Sequence, residues 1–190
     1  HRFSLTGEGL ERKFQRLADA AMARFPRPAP APDRLRSCRI VSHRGEHDNR
    51  GRIENTLAAF DAAAAAGVWG IELDVRWTRD LIPVVFHDPD TARLFKADVA
   101  IGQMPLAYLK SRFPLIPTLR EIVERYGGRI HLMIEIKSES YPNVAVQNRR
   151  MRAALHGMTP ATEFHLMGLD SGMFDLFTFL PARAFIPIGR

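Results

Sequence analysis

The sequence predicts an α/β protein built on a parallel sheet with helices packed outside it. Two observations carry this. From Cys38 onward, short apolar runs of strand length alternate with segments of helical periodicity. Ionisable residues also gather at the carboxyl ends of those runs, the edge where parallel α/β folds place their sites. An open doubly wound sheet and a closed barrel both satisfy this pattern.

The composition fits that class. The chain has 190 residues, 46% hydrophobic and 25% charged, which excludes a disordered or collagen-like chain and allows a sizeable core. No apolar run approaches the ~20 residues needed to cross a membrane. The single cysteine, Cys38, cannot form an internal disulfide. With no export signal visible, the expected compartment is the cytoplasm, although the sequence opens on His1 rather than Met.

The net charge of +6 suggests an anionic partner, but its distribution matters more than its sum. Residues 1–37 carry +4, leaving +2 for the remainder. No aromatic–basic stripe crosses the body, so nucleic acid is not expected as a partner.

Taken in order, residues 10–25 read as an amphipathic helix, with Leu10, Phe14, Leu17, Ala21 and Phe25 at three- and four-residue steps. The acids on its polar face favour packing over membrane-surface contact. Pro26, Pro28, Pro30 and Pro32 end it in a stiff linker. Residues 1–37 thus form an arm and residues 38–190 the main domain. Within that domain, residues 39–42 are a first strand. Asn55 or Thr56 caps a helix over 57–66, which Gly67 ends. Strands follow at 68–75 and 83–86, a helix at 117–126, a strand at 130–136, a helix at 144–156, and strands at 163–167 and 184–188.

Functional residues fall at the strand ends. His43 and Arg44 close the first strand. Glu72 and Asp74 lie two apart on the second, so both carboxylates point to one side. His87 closes the third, and Glu135 and Lys137 lie at the end of the fourth. Carboxylates inside frames as apolar as Ile71-Glu72-Leu73-Asp74-Val75 and Ile134-Glu135-Ile136 need partners or a metal. Three converging carboxylates with no cysteine or histidine among them favour a hard divalent cation, Mg²⁺ or Ca²⁺, over zinc. Arg44 and Lys137 beside such a cation suit a small-molecule phosphodiester. Two histidines supply an acid/base pair, and the set points to phosphodiester cleavage. His47, His131, His156 and His165 have no partner pattern and read as structural or surface groups; Trp69 and Trp77 read as core, and Asp88 as a support for the His87 turn.

The ordered motifs resemble the glycerophosphodiester phosphodiesterase family. They are His43-Arg44-Gly45, Glu54-Asn55-Thr56-Leu57-Ala58-Ala59-Phe60, Gly70-Ile71-Glu72-Leu73-Asp74-Val75, Thr78-Arg79-Asp80, Pro83-Val84-Val85-Phe86-His87-Asp88, Ile116-Pro117-Thr118-Leu119 and Ile134-Glu135-Ile136-Lys137. The resemblance implies a TIM-type (β/α)8 barrel, with His43 and His87 as the catalytic acid/base pair. It implies Glu72, Asp74 and Glu135 as metal ligands, and Arg44, Glu54 and Lys137 as substrate-binding residues. The implied reaction releases glycerol 3-phosphate and an alcohol. Related barrel enzymes cleaving lysophospholipids or phosphoinositides, and a non-catalytic phosphate-binding module, are the alternatives. The sequence departs from the family pattern in the polar stretch 46–53, where Ile53 replaces a common proline, and at Leu81, which replaces the usual glycine. A full barrel runs to ~250 residues, so the expectation is a barrel incomplete at its C-terminal end.

Overall fold

The computed structural model describes residues 29–188. The chain divides into two compact units, His1–Cys38 and Arg39–Arg190. In the first unit, the helix expected over 10–25 lies outside the described residues. The last of the four prolines opens α1 (Pro32–Arg36), one short helix where an extended linker was expected. Pro32 sits in its first turn, where the missing N–H costs no hydrogen bond, and Asp33 and Arg36 lie at the ends that the helix dipole favours.

The second unit runs β1 (Val41–His43), α2 (Leu57–Ala65), β2 (Gly70–Trp77), β3 (Pro83–Val85), α3 (Ala92–Phe95), α4 (Leu106–Arg112), α5 (Leu119–Tyr126), β4 (His131–Ile136), α6 (Val144–Ala154), β5 (Phe164–Gly168) and β6 (Phe185–Pro187). Five strands form a parallel series in the order β1-β2-β4-β5-β6. Short 3-10 turns at Ser171–Leu176 and Ala182–Ala184, rather than an α-helix, join β5 to β6.

β3 corrects the expected topology. It pairs antiparallel with β2 and stands off the parallel series. Residues 78–82 alone separate the two strands, far fewer than the dozen or more that a parallel crossover needs. The hairpin doubles back, so Val85 lies opposite Val75 and the Phe86 N–H donates to the Asp74 carbonyl at 2.9 Å. His87 is thereby returned to the level of Asp74 instead of capping a strand of its own.

Strand alternation sorts the side chains into two populations. Ile71, Leu73, Val75, Leu132, Ile134, Ile136, Phe164 and Leu166 are buried in the main core with Phe60, Leu119 and Ile122 from α2 and α5. The intervening positions carry Glu72, Asp74, Arg76 and Glu135. β1 and β2 extend through His43 and Trp77, one and two positions beyond the expected ends. A second cluster around Phe86, Ile101, Leu109 and Phe113 supports the segment after β3.

The helix starts follow from capping chemistry. Thr118 accepts from the Glu121 N–H, and the Glu121 carboxylate accepts from the Thr118 N–H at 2.7 Å, a reciprocal capping box at α5. At α2 the cap is Thr56, whose hydroxyl accepts from the Ala59 N–H. Asn55, the other candidate cap, serves the site instead.

Candidate functional site

His43 lies opposite Glu72 in the β1–β2 register, and Asp74 lies opposite Glu135 in the β2–β4 register. Parallel pairing alone therefore gathers these groups at one end of the sheet. The turn after His43 is tightly built. Arg44 adopts a left-handed backbone (φ +59°), held because its N–H donates to the Glu72 carbonyl at 3.0 Å. Gly45 follows at φ +79°, where a Cβ would lie 2.7 Å from the backbone of Ala59, so only glycine lets the turn rest on α2.

Glu72, Asp74 and Glu135 each present an oxygen within 4.8 Å of the others. Asp74 is fully buried and heavily partnered. Lys137 Nζ lies 2.6 Å from its Oδ1, Arg44 Nε lies 3.1 Å from its Oδ2, and the Asn55 amide donates to Oδ2 at 2.8 Å. Lys137 Nζ is also 2.6 Å from Glu135 Oε1. Glu72 is different: Asp74 Oδ1, though it accepts no hydrogen bond, has the Lys137 ammonium beside it, whereas Glu72 Oε1 is buried with neither a hydrogen bond nor a lysine or arginine ion pair among the described residues. Burial, then the charges of Asp74 and Glu135, push its carboxyl well above the usual carboxylate range. Three clustered oxygen donors, one of them buried and unsatisfied, fit a hard divalent cation, which would relieve their mutual repulsion.

His43 is exposed, with Nε2 3.7 Å from Glu72 Oε2. Partial burial and then the neighbouring Arg44 charge lower its pKa from the ordinary imidazole value, which favours the neutral form. His87 is half-buried, its Nδ1 2.7 Å from Asp88 Oδ1. A chain of alternating charges runs on from there. Arg93 Nε donates to Asp88 Oδ2 at 2.6 Å, and Arg93 Nη2 donates to Glu54 Oε1 at 2.5 Å. Glu54 in turn receives Arg44 Nη1 at 3.1 Å and the Asn49 amide at 2.6 Å. Burial works to raise the Glu54 pKa, but Arg93, Asn49 and Arg44 outweigh it and hold the carboxyl at about 2. Both oxygens of Glu54 thus accept from protein cations, Oε1 from Arg44 and Arg93 and Oε2 from Arg93.

Sequence reasoning passed over Asn55, Arg93, Arg76 and Glu139 as site residues. The period-2 spacing of Glu72, Asp74 and Arg76 was the available signal for Arg76; Asn55 and Glu139 join from loops and Arg93 from α3. His131 and His165 lie away from the site. His131 opens β4, its Nε2 2.8 Å from His165 Nδ1, with Trp69 stacked on its ring at 4.3 Å.

Comparison with known proteins agrees with this geometry. Residues 43–163 match the model of the glycerophosphoryl diester phosphodiesterase family. The chain belongs to that family. It is 37% identical over 111 residues to the glycerophosphodiester phosphodiesterase of Caldanaerobacter subterraneus subsp. tengcongensis, covering 52% of this chain and 45% of that protein. It is likewise 37% identical over 118 residues to human glycerophosphodiester phosphodiesterase 1, covering 53% and 34%. The chain thus spans less than half the length of these relatives. Among solved structures, the glycerophosphodiester phosphodiesterase of Thermotoga maritima superposes with a TM-score of 0.59 at 33% identity, covering 73% of this chain and 56% of that one. An Oleispira antarctica phosphodiesterase, solved with the product sn-glycerol-3-phosphate, gives 0.61 at 25% identity, covering 79% and 64%. The parallel series β1, β2, β4, β5 and β6 thus makes up part of the TIM-type barrel expected for the family. Among the described residues no helix is long and apolar enough to cross a membrane.

Proposed function

We propose that this chain carries the catalytic centre of a metal-dependent glycerophosphodiester phosphodiesterase that releases glycerol 3-phosphate and an alcohol. The observation that carries the reading is the cluster of Glu72, Asp74 and Glu135 beside Arg44 and Lys137, in a chain of this family. Glu72, Asp74 and Glu135 would hold Mg²⁺ or Ca²⁺, and the bound cation would supply charge neutralisation at the phosphodiester.

The protein groups then have distinct tasks. Arg44 and Lys137 bind and orient the phosphoryl oxygens, and Glu54 acts on binding through Arg44. One imidazole of the His43/His87 pair takes the proton of the attacking hydroxyl as its oxygen bonds to phosphorus. The other imidazole protonates the departing alkoxide as the P–O ester bond breaks, so proton and leaving group are both accounted for. The lowered pKa of His43 favours the neutral imidazole that the accepting role needs. Asp88, an acceptor when ionised, takes the Nδ1–H of His87 and leaves Nε2 facing the chemistry.

The test uses the full chain with glycerophosphocholine. Release of glycerol 3-phosphate in Mg²⁺ or Ca²⁺, abolished by EDTA, is the expected result. Absence of turnover by folded protein across several headgroups would sink the enzymatic reading and leave a phosphate-binding module.

A further inference from the structure

Arg76 continues the row of Glu72 and Asp74 on β2 and sits at the same end of the strand. An arginine at the mouth of a phosphodiester site would ordinarily read as another phosphate clamp. Its contacts say otherwise. Nε donates to the His87 carbonyl at 2.7 Å, and Nη1 donates to Glu139 Oε2 at 2.8 Å. The other oxygen of Glu139 accepts from the Trp77 N–H at 3.2 Å. The Arg76 side chain is only 11% exposed, so the guanidinium is largely withdrawn from solvent.

His87 is consequently held from three directions. The preceding residue is tied to β2 by the Phe86 N–H on the Asp74 carbonyl, its own carbonyl is gripped by Arg76, and its ring is paired with Asp88. We propose that Arg76 and Glu139 are a positioning pair that fixes His87 from the β2 strand and the loop after β4, without touching the substrate. This rests on the reading of His87 as one of the acid/base pair. The fork of the guanidinium matters: it serves its two acceptors from two separate nitrogens, Nε and Nη1, a geometry that the single Nζ of a lysine does not reproduce.

Two measurements on the full chain test the proposal. In steady-state kinetics with glycerophosphocholine, Arg76→Lys should lower kcat roughly tenfold to a hundredfold with KM nearly unchanged, the consequence of a misplaced acid/base group. Glu139→Gln should act in the same direction and more weakly, and it serves if Arg76→Lys fails to fold. A raised KM with kcat unchanged would make Arg76 a substrate contact and overturn the proposal. Separately, imidazole NMR of isotopically labelled protein should show the His87 ring resonances moving in either variant while those of His131 and His165 stay fixed. Unmoved His87 resonances would also overturn it. The NMR arm needs no turnover, so failure of the phosphodiesterase reading and failure of this positioning role remain distinguishable.

Discussion

The His87 Nδ1 atom lies 2.7 Å from Asp88 Oδ1, and the other oxygen of Asp88 is held by Arg93 at 2.6 Å. Burial works to raise the Asp88 pKa, but the bonds from Arg93 and His87 outweigh it and keep the carboxylate ionised well below neutrality. An ionised carboxylate can only accept, so His87 must donate from Nδ1 and present Nε2 to the site. Asp88→Ala should leave the imidazole present but free to rotate and change tautomer. Turnover is expected to fall by roughly 10- to 100-fold, as for other orienting partners of functional histidines. That is less than the roughly 10²–10⁴ expected for His87→Ala. Parallel kinetics on the two variants check the order, and equal losses would place Asp88 in the chemistry itself.

The carboxylate cluster predicts opposite responses with and without a cation. Glu72 holds one buried, unpaired oxygen beside Asp74 and Glu135, so its charge costs stability when nothing neutralises it. Glu72→Gln should therefore melt no lower than the parent in EDTA. In saturating Mg²⁺ or Ca²⁺ the parent should gain about 2.7 kcal/mol at a hundredfold excess over Kd. For a chain of this size that is about 5–10 °C in Tm. Glu72→Gln should lose most of that gain. A parent melting curve indifferent to both cations would remove the metal site.

The parallel framework was legible because it is written in side-chain alternation. The apolar frames around Glu72 and Glu135 mark buried strands, and the acids within them, buried Glu72 and Asp74 and half-buried Glu135, mark the site. The direction of β3 was open to the same reading, since residues 78–82 are too few for a crossover, yet an apolar run reads alike in either direction. Asn55 shows a harder limit. It stands next to the helix start as a plausible cap, but its left-handed backbone (φ +57°) turns the side chain onto Asp74 and leaves Thr56 to cap α2. Arg93 on α3 and Glu139 in the loop after β4 lie 39 and 63 residues away from their partners Glu54 and Arg76. No local period encodes such pairs.

Acid should weaken the fold through Glu54. Its carboxyl is held at about 2 in the folded chain against 4.5 unfolded, so between those values the unfolded state binds more protons. The stabilisation is complete above about pH 4.5 and is lost as pH falls toward 2. Urea midpoints measured across this window should decline, and Glu54→Gln should flatten part of the decline while lowering the midpoint at pH 7. An unchanged acid slope in that variant would show that the Arg93–Glu54–Arg44 link does not stabilise the fold.

Leu81 offers a test of backbone strain away from the chemistry. It sits at φ +59° in the hairpin between β2 and β3, its N–H donating to the Thr78 carbonyl at 2.9 Å. A residue with a Cβ loses roughly 1–2 kcal/mol in that conformation. Glycine adopts it freely but gives up about 0.5–1 kcal/mol of unfolded-chain entropy. The half-exposed leucine side chain contributes to neither core cluster, so little packing is lost on removal. Leu81→Gly should therefore raise stability by up to about 1 kcal/mol, which urea denaturation resolves as a higher midpoint at constant m-value. Leu81→Ala keeps the strain and should not gain. A destabilised glycine variant would mean that the Leu81 side chain outweighs the backbone cost.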